Sequence, residues 1–166
     1  MTPDQAHFFV QTIVEDAGRE SATTSKVLAA VPADKCDYRP AADSMTALEL
    51  AWHMAASEIY FMNGVADGEF AAGSKRPETV QTAADVVAWY EANRPPAADR
   101  VKAMTPEQCA KMISFHGVFN LPAFAYLNLM LKHSVHHRGQ LSCYLRPMGA
   151  KVPAIYGGSF DDPVKM

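Results

Sequence analysis

The chain has little that would tie it to a disulfide framework, a membrane or a polyanion. Its three cysteines, Cys36, Cys109 and Cys143, are odd in number and far apart, and none forms a C-x-x-C pair. That excludes a cysteine-type zinc site and fits reduced thiols. No apolar run approaches the ~18 residues of a membrane helix. Positive charge is not in surplus: 15 Lys and Arg against 18 Asp and Glu leave a net charge of −3. Nothing electrostatic therefore favours nucleic acid or an anionic membrane as partner. Gly-rich phosphate loops, nucleophile elbows, internal repeats and low-complexity tracts are all missing. Met1-Thr2-Pro3-Asp4-Gln5 carries neither a basic stretch nor an apolar signal core, so a cytoplasmic protein is expected.

What is present is a globular composition, 49% hydrophobic and 20% charged over 166 residues. That is most simply one domain, residues 1–166, with enough chain for a real core. Phe8, Phe9, Ile13, Val14, Ala17, Val27 and Leu28 recur at helical spacing and predict a first helix over 3–30. Thr2 is its N-cap and Pro3 its first residue. Val31-Pro32 ends it, because the residue before proline is pushed out of the α region. After a Pro-rich link, a second helix starts at about Ser44 or Thr46 and reaches Val65; Ser44 or Asp43 can cap it, and Thr46 with Glu49 makes a capping-box pattern. Its buried side is marked by Leu48, Ala51, Trp52, Ala55, Ile59 and Met62, and Gly64 and Gly68 bracket its end. A third helical pattern covers about 79–104, but Pro95-Pro96 in its middle predicts a kink or a break. Residues 111–120, with Gly117, read as a short strand or extended link. A fourth long helix follows from about Leu121 to Arg146, stopped by Pro147. Beyond it Val152–Phe160 is extended and apolar enough to pack, and Asp161-Asp162-Pro163 reads as the start of a solvent-exposed end. Four long helical patterns without alternating strands predict an all-α four-helix bundle.

The last helix carries the chemistry. It contains Lys132-His133-Ser134-Val135-His136-His137-Arg138-Gly139-Gln140. His133 and His137, four residues apart, lie ~40° apart around a helix axis and one turn apart along it. Two imidazoles so placed can reach one ion. A catalytic zinc usually takes three protein ligands and keeps one open position. His53, in the middle of the second helix between Trp52 and Met54, is the best-placed third; His116 and His136 are spare candidates. Three neutral imidazoles hold a zinc or nickel ion without cancelling its charge, which acidifies a bound water or thiol. Against this stands the plainer reading of histidines that are merely hydrogen-bonded in or near the core. Gln140 shares the His133 face, whereas Arg138 points elsewhere; both read first as packing or pairing groups. Glu58 reads as surface or interhelix pairing, not as a ligand, and Cys143 as a core or interface thiol. No general base can be named. A deep pocket lined by Trp52, Tyr60 or Tyr126 would favour catalysis; a fourth protein ligand would favour a closed, structural ion.

Taken together, Asp37-Tyr38-Arg39-Pro40, Leu48-Glu49-Leu50-Ala51-Trp52-His53 through Glu58, His133 to Leu141 with its HxxxHRGQ element, and Leu145-Arg146-Pro147-Met148-Gly149 resemble the DinB superfamily, the DinB/YfiT-like metalloenzymes. Order and separations agree over nearly the whole chain. The resemblance implies a four-helix bundle, usually a homodimer, with one divalent metal ion held by three histidines. Carried across, these are His53, His133 and His137. Members of the superfamily include S-transferases that use a low-molecular-weight thiol such as bacillithiol or mycothiol, and a maleylpyruvate isomerase. A metal-dependent thiol transferase or hydrolase acting on a small molecule is therefore one expectation. A non-enzymatic, stress-related dimeric bundle that merely holds metal is the other.

Overall fold

Side-chain caps set where most of the helices begin. In a computed structural model that describes residues 1–73 and 75–164, helix α1 (Pro3–Ala29) starts at Thr2, helix α2 (Ala47–Asp67) at Thr46, helix α3 (Ala83–Lys102) at Thr82 and the short helix α4 (Pro106–Ala110) at Thr105. Each threonine accepts from the backbone N–H three residues on, and the Gln, Glu or Asp there reaches back to the threonine N–H. This reciprocal cap satisfies two donors that a helix start otherwise leaves open. Two short strands, β1 (Met112–Phe115) and β2 (Phe119–Pro122), precede the long helix α5 (Ala123–Leu145). The all-α bundle expected from the sequence is the fold observed, with four long α-helices and one short one among the described residues.

Helix α2 packs against α3 on one side and α5 on the other, while α1 packs on α3, α4 and α5. Leu50, Ala51, Met54, Ala55, Met62 and Val65 of α2 meet Leu127, Met130, Leu141 and Leu145 of α5 in one buried cluster. The i, i+3, i+4 spacing of these residues gives each helix its buried stripe. Gly68, at φ 73°, closes α2 with a left-handed cap that returns its N–H to Gly64 and Val65.

The third helix departs from expectation in two ways. It begins at Ala83, four residues later than about 79, because Thr82 and Asp85 form its cap. It also runs through Pro95 and Pro96 without the break that was one of the two outcomes expected there. Two prolines remove two N–H donors and leave the carbonyls of Glu91 and Ala92 without their helical partners. Glu91, Ala92, Pro95 and Pro96 are all exposed, so water can satisfy those carbonyls. The inward face of the same stretch, with Arg94, Ala97, Ala98 and Val101 buried, holds the helix on α1 and α2.

Residues 112–122 form an antiparallel hairpin, with Met112 opposite Pro122 and Phe115 opposite Phe119. Its tip places His116 at φ 51° and Gly117 at φ 74°. Positive φ at two successive turn residues suits the twist of a hairpin, which accounts for the unusual His116 backbone. The C-terminal segment packs in part, through Val152 and Ile155, and ends exposed at Asp162, Pro163 and Val164, as the sequence predicts. Asp161 accepts from Val152 N and pairs with Arg146, Asp162 accepts from Ala154 N, and Ser159 Oγ accepts from the backbone N–H groups of Asp161 and Asp162. Among the described residues no helix is long and apolar enough to cross a membrane.

Candidate metal centre

Helices α2 and α5 each place histidines at the margin of their buried stripe. On α2 the neighbours Ala51, Met54 and Ala55 are buried, and His53 between them is half-buried. On α5 Met130, Ser134 and Arg138 are buried, and His133 and His137 are half-buried beside them. Packing of α2 on α5 then brings the three rings together. His53 Nε2 lies 3.0 Å from His133 Nε2 and 3.2 Å from His137 Nε2. The three form a cluster whose donor atoms all lie within 4.8 Å of one another.

The donor set fits a metal ion. A tetrahedral zinc with nitrogen ligands at 2.0–2.1 Å separates those nitrogens by ~3.3 Å, close to the His53 distances. The outer nitrogens support the same tautomer. Gln140 Oε1 lies 2.8 Å from His137 Nδ1, and Ser57 Oγ lies 3.4 Å from His53 Nδ1. An Nδ1–H donated to Gln140 leaves the His137 Nε2 lone pair facing inward, as a metal ligand requires. Partial burial, then the His137 charge, lowers the His53 pKa. Burial and the charges of His137, His53 and His136 push His133 down to about 4. Both shifts favour the neutral imidazoles of His53 and His133, the form that donates a lone pair.

Immediately beneath the histidines lies a buried polar network. Glu58 of α2 is 3% exposed. Its carboxylate accepts from Arg94 Nε at 2.7 Å and Tyr90 OH at 2.9 Å on α3, and from Ser134 Oγ at 3.2 Å on α5. Burial, followed by the Glu58 charge, raises the Tyr90 pKa, so its hydroxyl stays a donor. Because Ser134 follows His133 directly, this network fixes the level of α5 against α2 at the histidine site. A second network surrounds Arg138, which is 1% exposed. It donates to Glu20 O, Thr24 Oγ1 and Tyr156 OH, and it pairs with the Glu20 carboxylate.

Two open clefts flank His53. One, of about 220 Å³, is lined by Trp52, His53, Ala56, Ser57, Tyr60 and Gly73. The other, of about 470 Å³, is lined by Met45, Glu49, Trp52, His53 and Arg76. The spare candidates stand apart from the cluster. His116 sits at the hairpin tip with its Nε2 2.8 Å from Tyr60 OH. That hydroxyl donates to Ala71 O at 2.8 Å, so His116 Nε2–H is the donor to it. His136 is exposed, with its ring 4.8 Å from that of His137. Tyr126 is fully buried against Ile113 O and lines neither cleft, and Cys143 is exposed, not in the core.

Sequence reasoning missed the burial of Glu58, read as surface or interhelix pairing, and the place of Arg76. Glu58 falls on the same i, i+3, i+4 series as Met54, Ala55, Phe61 and Met62, which is the signal that it is buried. Arg76 lies in a segment with no periodicity, and only the fold brings it beside His53.

Comparison with known proteins agrees with this architecture. The Bacillus subtilis protein YjoA is 29% identical over 128 residues, covering 76% of this chain and 82% of YjoA. Bacillus subtilis YrdA is 26% identical over 149 residues, covering 88% of this chain and 87% of YrdA. The crystal structure of a DinB-like protein from Bacillus cereus superimposes with a TM-score of 0.74 at 20% identity, over 88% of this chain and 97% of that one. The crystal structure of the DinB-like YjoA superimposes with a TM-score of 0.70 at 24% identity, over 84% of this chain and 93% of that one. The model of the DinB family matches residues 5–164, and the chain belongs to that family.

Proposed function

We propose that this protein binds one divalent metal ion, zinc or nickel, through His53, His133 and His137, and uses it on a small molecule in a thiol-transfer or hydrolytic reaction. The observation that carries the reading is the convergence of three Nε2 atoms from two helices onto one point. A bound ion of this kind supplies positive charge that lowers the pKa of a coordinated thiol or water. The chain's own residues do the rest. Gln140 holds the His137 tautomer, and Ser57 sits beside the outer nitrogen of His53. The Glu58 network holds α5 at the height where His133 meets His53. Trp52 and Tyr60 wall the cleft through which a substrate reaches His53. Among the described residues no fourth His, Cys, Asp or Glu joins the cluster, which favours an open position over a closed structural site. The homodimer, the low-molecular-weight thiol and the cytoplasmic setting belong to the same proposal.

The test compares zinc-loaded and metal-stripped untagged protein with two probes. Monochlorobimane with 2-mercaptoethanol reports thiol transfer, and p-nitrophenyl acetate reports hydrolysis. A saturable, zinc-dependent rate with either probe supports the reading and chooses between the two reactions. Background rates with both, while zinc remains bound, would reduce the centre to metal holding.

A further inference from the structure

The larger cleft beside His53 has an apolar wall and a single guanidinium. Trp52 is half-buried against Trp89, with ring centroids 4.6 Å apart. Met45, 42% exposed, adds apolar surface at the cleft margin. Arg76 reaches the cleft from the segment between α2 and α3. It takes part in none of the ion pairs formed among the described residues. The other charged group lining the cleft, Glu49, is already committed. Its Oε2 accepts from Thr46 N at 2.7 Å in the α2 cap. The Thr46 hydrogen bonds, then the charges of Arg39 and Arg76, hold its carboxyl below the usual range. Arg76 is therefore a cation lining the cleft, near enough to Glu49 to feel its charge but, among the described residues, not paired with it.

We infer that Arg76, backed by Trp52, is a carboxylate-recognition subsite, so that the small molecule engaged at the three-histidine centre carries one acidic group. A guanidinium presents a planar fork that matches a carboxylate in bidentate fashion. One carboxylate suits this cleft better than a phosphate, because Glu49 repels a dianion about twice as strongly as a monoanion. The two recognition elements are then complementary. The histidine centre takes the reacting donor, and Arg76 takes the acidic end of the same molecule. This inference rests on the metal-centre reading above.

The experiment uses the full chain loaded with cobalt(II), whose visible spectrum reports coordination of a thiolate. Two probes differ only at the far end: 3-mercaptopropionate and 3-mercapto-1-propanol. The carboxylate probe is expected to bind roughly fivefold more tightly, the upper end for a solvent-facing ion pair. Arg76→Gln removes that preference without changing the cobalt stoichiometry. Glu49→Gln keeps a residue able to complete the α2 cap and removes the competing charge, so the preference widens. Equal affinities for the two probes in the wild type, a preference that survives Arg76→Gln, or one that narrows in Glu49→Gln would each overturn the subsite while leaving the metal centre standing. Failure to bind cobalt at all would overturn the metal centre itself, and the subsite with it.

Discussion

Replacing Glu58 with alanine tests the buried network beneath the histidines. The carboxylate is 3% exposed and receives three hydrogen bonds, one of them from the Arg94 side chain. Arg94 is itself 8% exposed, and its Nη2 already lacks a partner among the described residues. Removing the acid leaves a guanidinium charge and two hydroxyls, on Tyr90 and Ser134, without their acceptor. Breaking a buried ion pair from one side costs about 3–5 kcal/mol, most of it the uncompensated charge. That is a large part of the ~5–15 kcal/mol that stabilises a typical domain. With a urea slope of about 2 kcal/mol/M, the midpoint should fall by roughly 2 M. Urea unfolding followed by far-UV circular dichroism measures it. The double variant Glu58→Leu, Arg94→Leu removes both charges and should recover most of the loss, because an apolar pair avoids the desolvation cost. A Glu58→Ala variant within about 1 kcal/mol of wild type would refute the reasoning, since it would mean that Arg94 reaches water when its partner is gone.

Three further outcomes are expected. Replacing Pro95 and Pro96 together with alanine should raise the thermal midpoint, because both are exposed inside a continuous helix and alanine restores two backbone donors at a gain of about 1 kcal/mol or more; a lower midpoint in differential scanning calorimetry would show that the prolines fit this helix better than its geometry implies. Gly64→Ala sets a methyl group against the Phe70 ring, which is enclosed by Phe61, Phe115 and Tyr126; a loss of about 1–3 kcal/mol is expected from overpacking, and a neutral effect in the same urea titration would contradict it. Acid should destabilise the metal-free protein as the histidine cluster gains charge. His53 and His133 have lowered pKa values, that of His133 falling to about 4, while the unfolded chain binds those protons from about pH 6.5 downward. Their contribution is therefore complete above pH ~6.5 and is lost progressively as pH falls toward 4. Unfolding midpoints that stay level over that window would count against His53 and His133 being held neutral in the fold.

Much of the fold is legible because its determinants are local. Thr2 with Pro3, and Thr46 with Glu49, mark helix starts by cap chemistry that needs no tertiary context. The His133–His137 spacing puts both rings on one face of α5, and the pattern around His53 places it near the interior. What escaped depends on partners distant in sequence. Pro95-Pro96 reads as a kink or a break when only propensity is weighed, and the break does not occur because exposure of Glu91 and Ala92 lets water take the freed carbonyls and packing of Arg94, Ala97 and Ala98 holds the helix. The Thr82 cap was hidden behind an apparent helical pattern beginning near residue 79. Glu58 is an interhelix group, as one of its two readings had it, but its burial depends on Tyr90 and Arg94, more than 30 positions away. The exposed end after Phe160 was legible in Asp161-Asp162-Pro163, but the backbone bonds that Asp161 and Asp162 accept from Val152 and Ala154 were not. Arg76 shows no pattern at all, since a loop residue's neighbours are set by the elements it crosses.

The central claim is that His53, His133 and His137 form one metal site, and elemental analysis of untagged protein tests it most directly. The wild type should carry close to one zinc or nickel ion per chain after incubation with metal and dialysis. His53→Ala, His133→Ala and His137→Ala should each lose it while keeping the helical circular dichroism of the bundle. Stoichiometric metal retained in all three variants, or none bound by the wild type, would contradict the account.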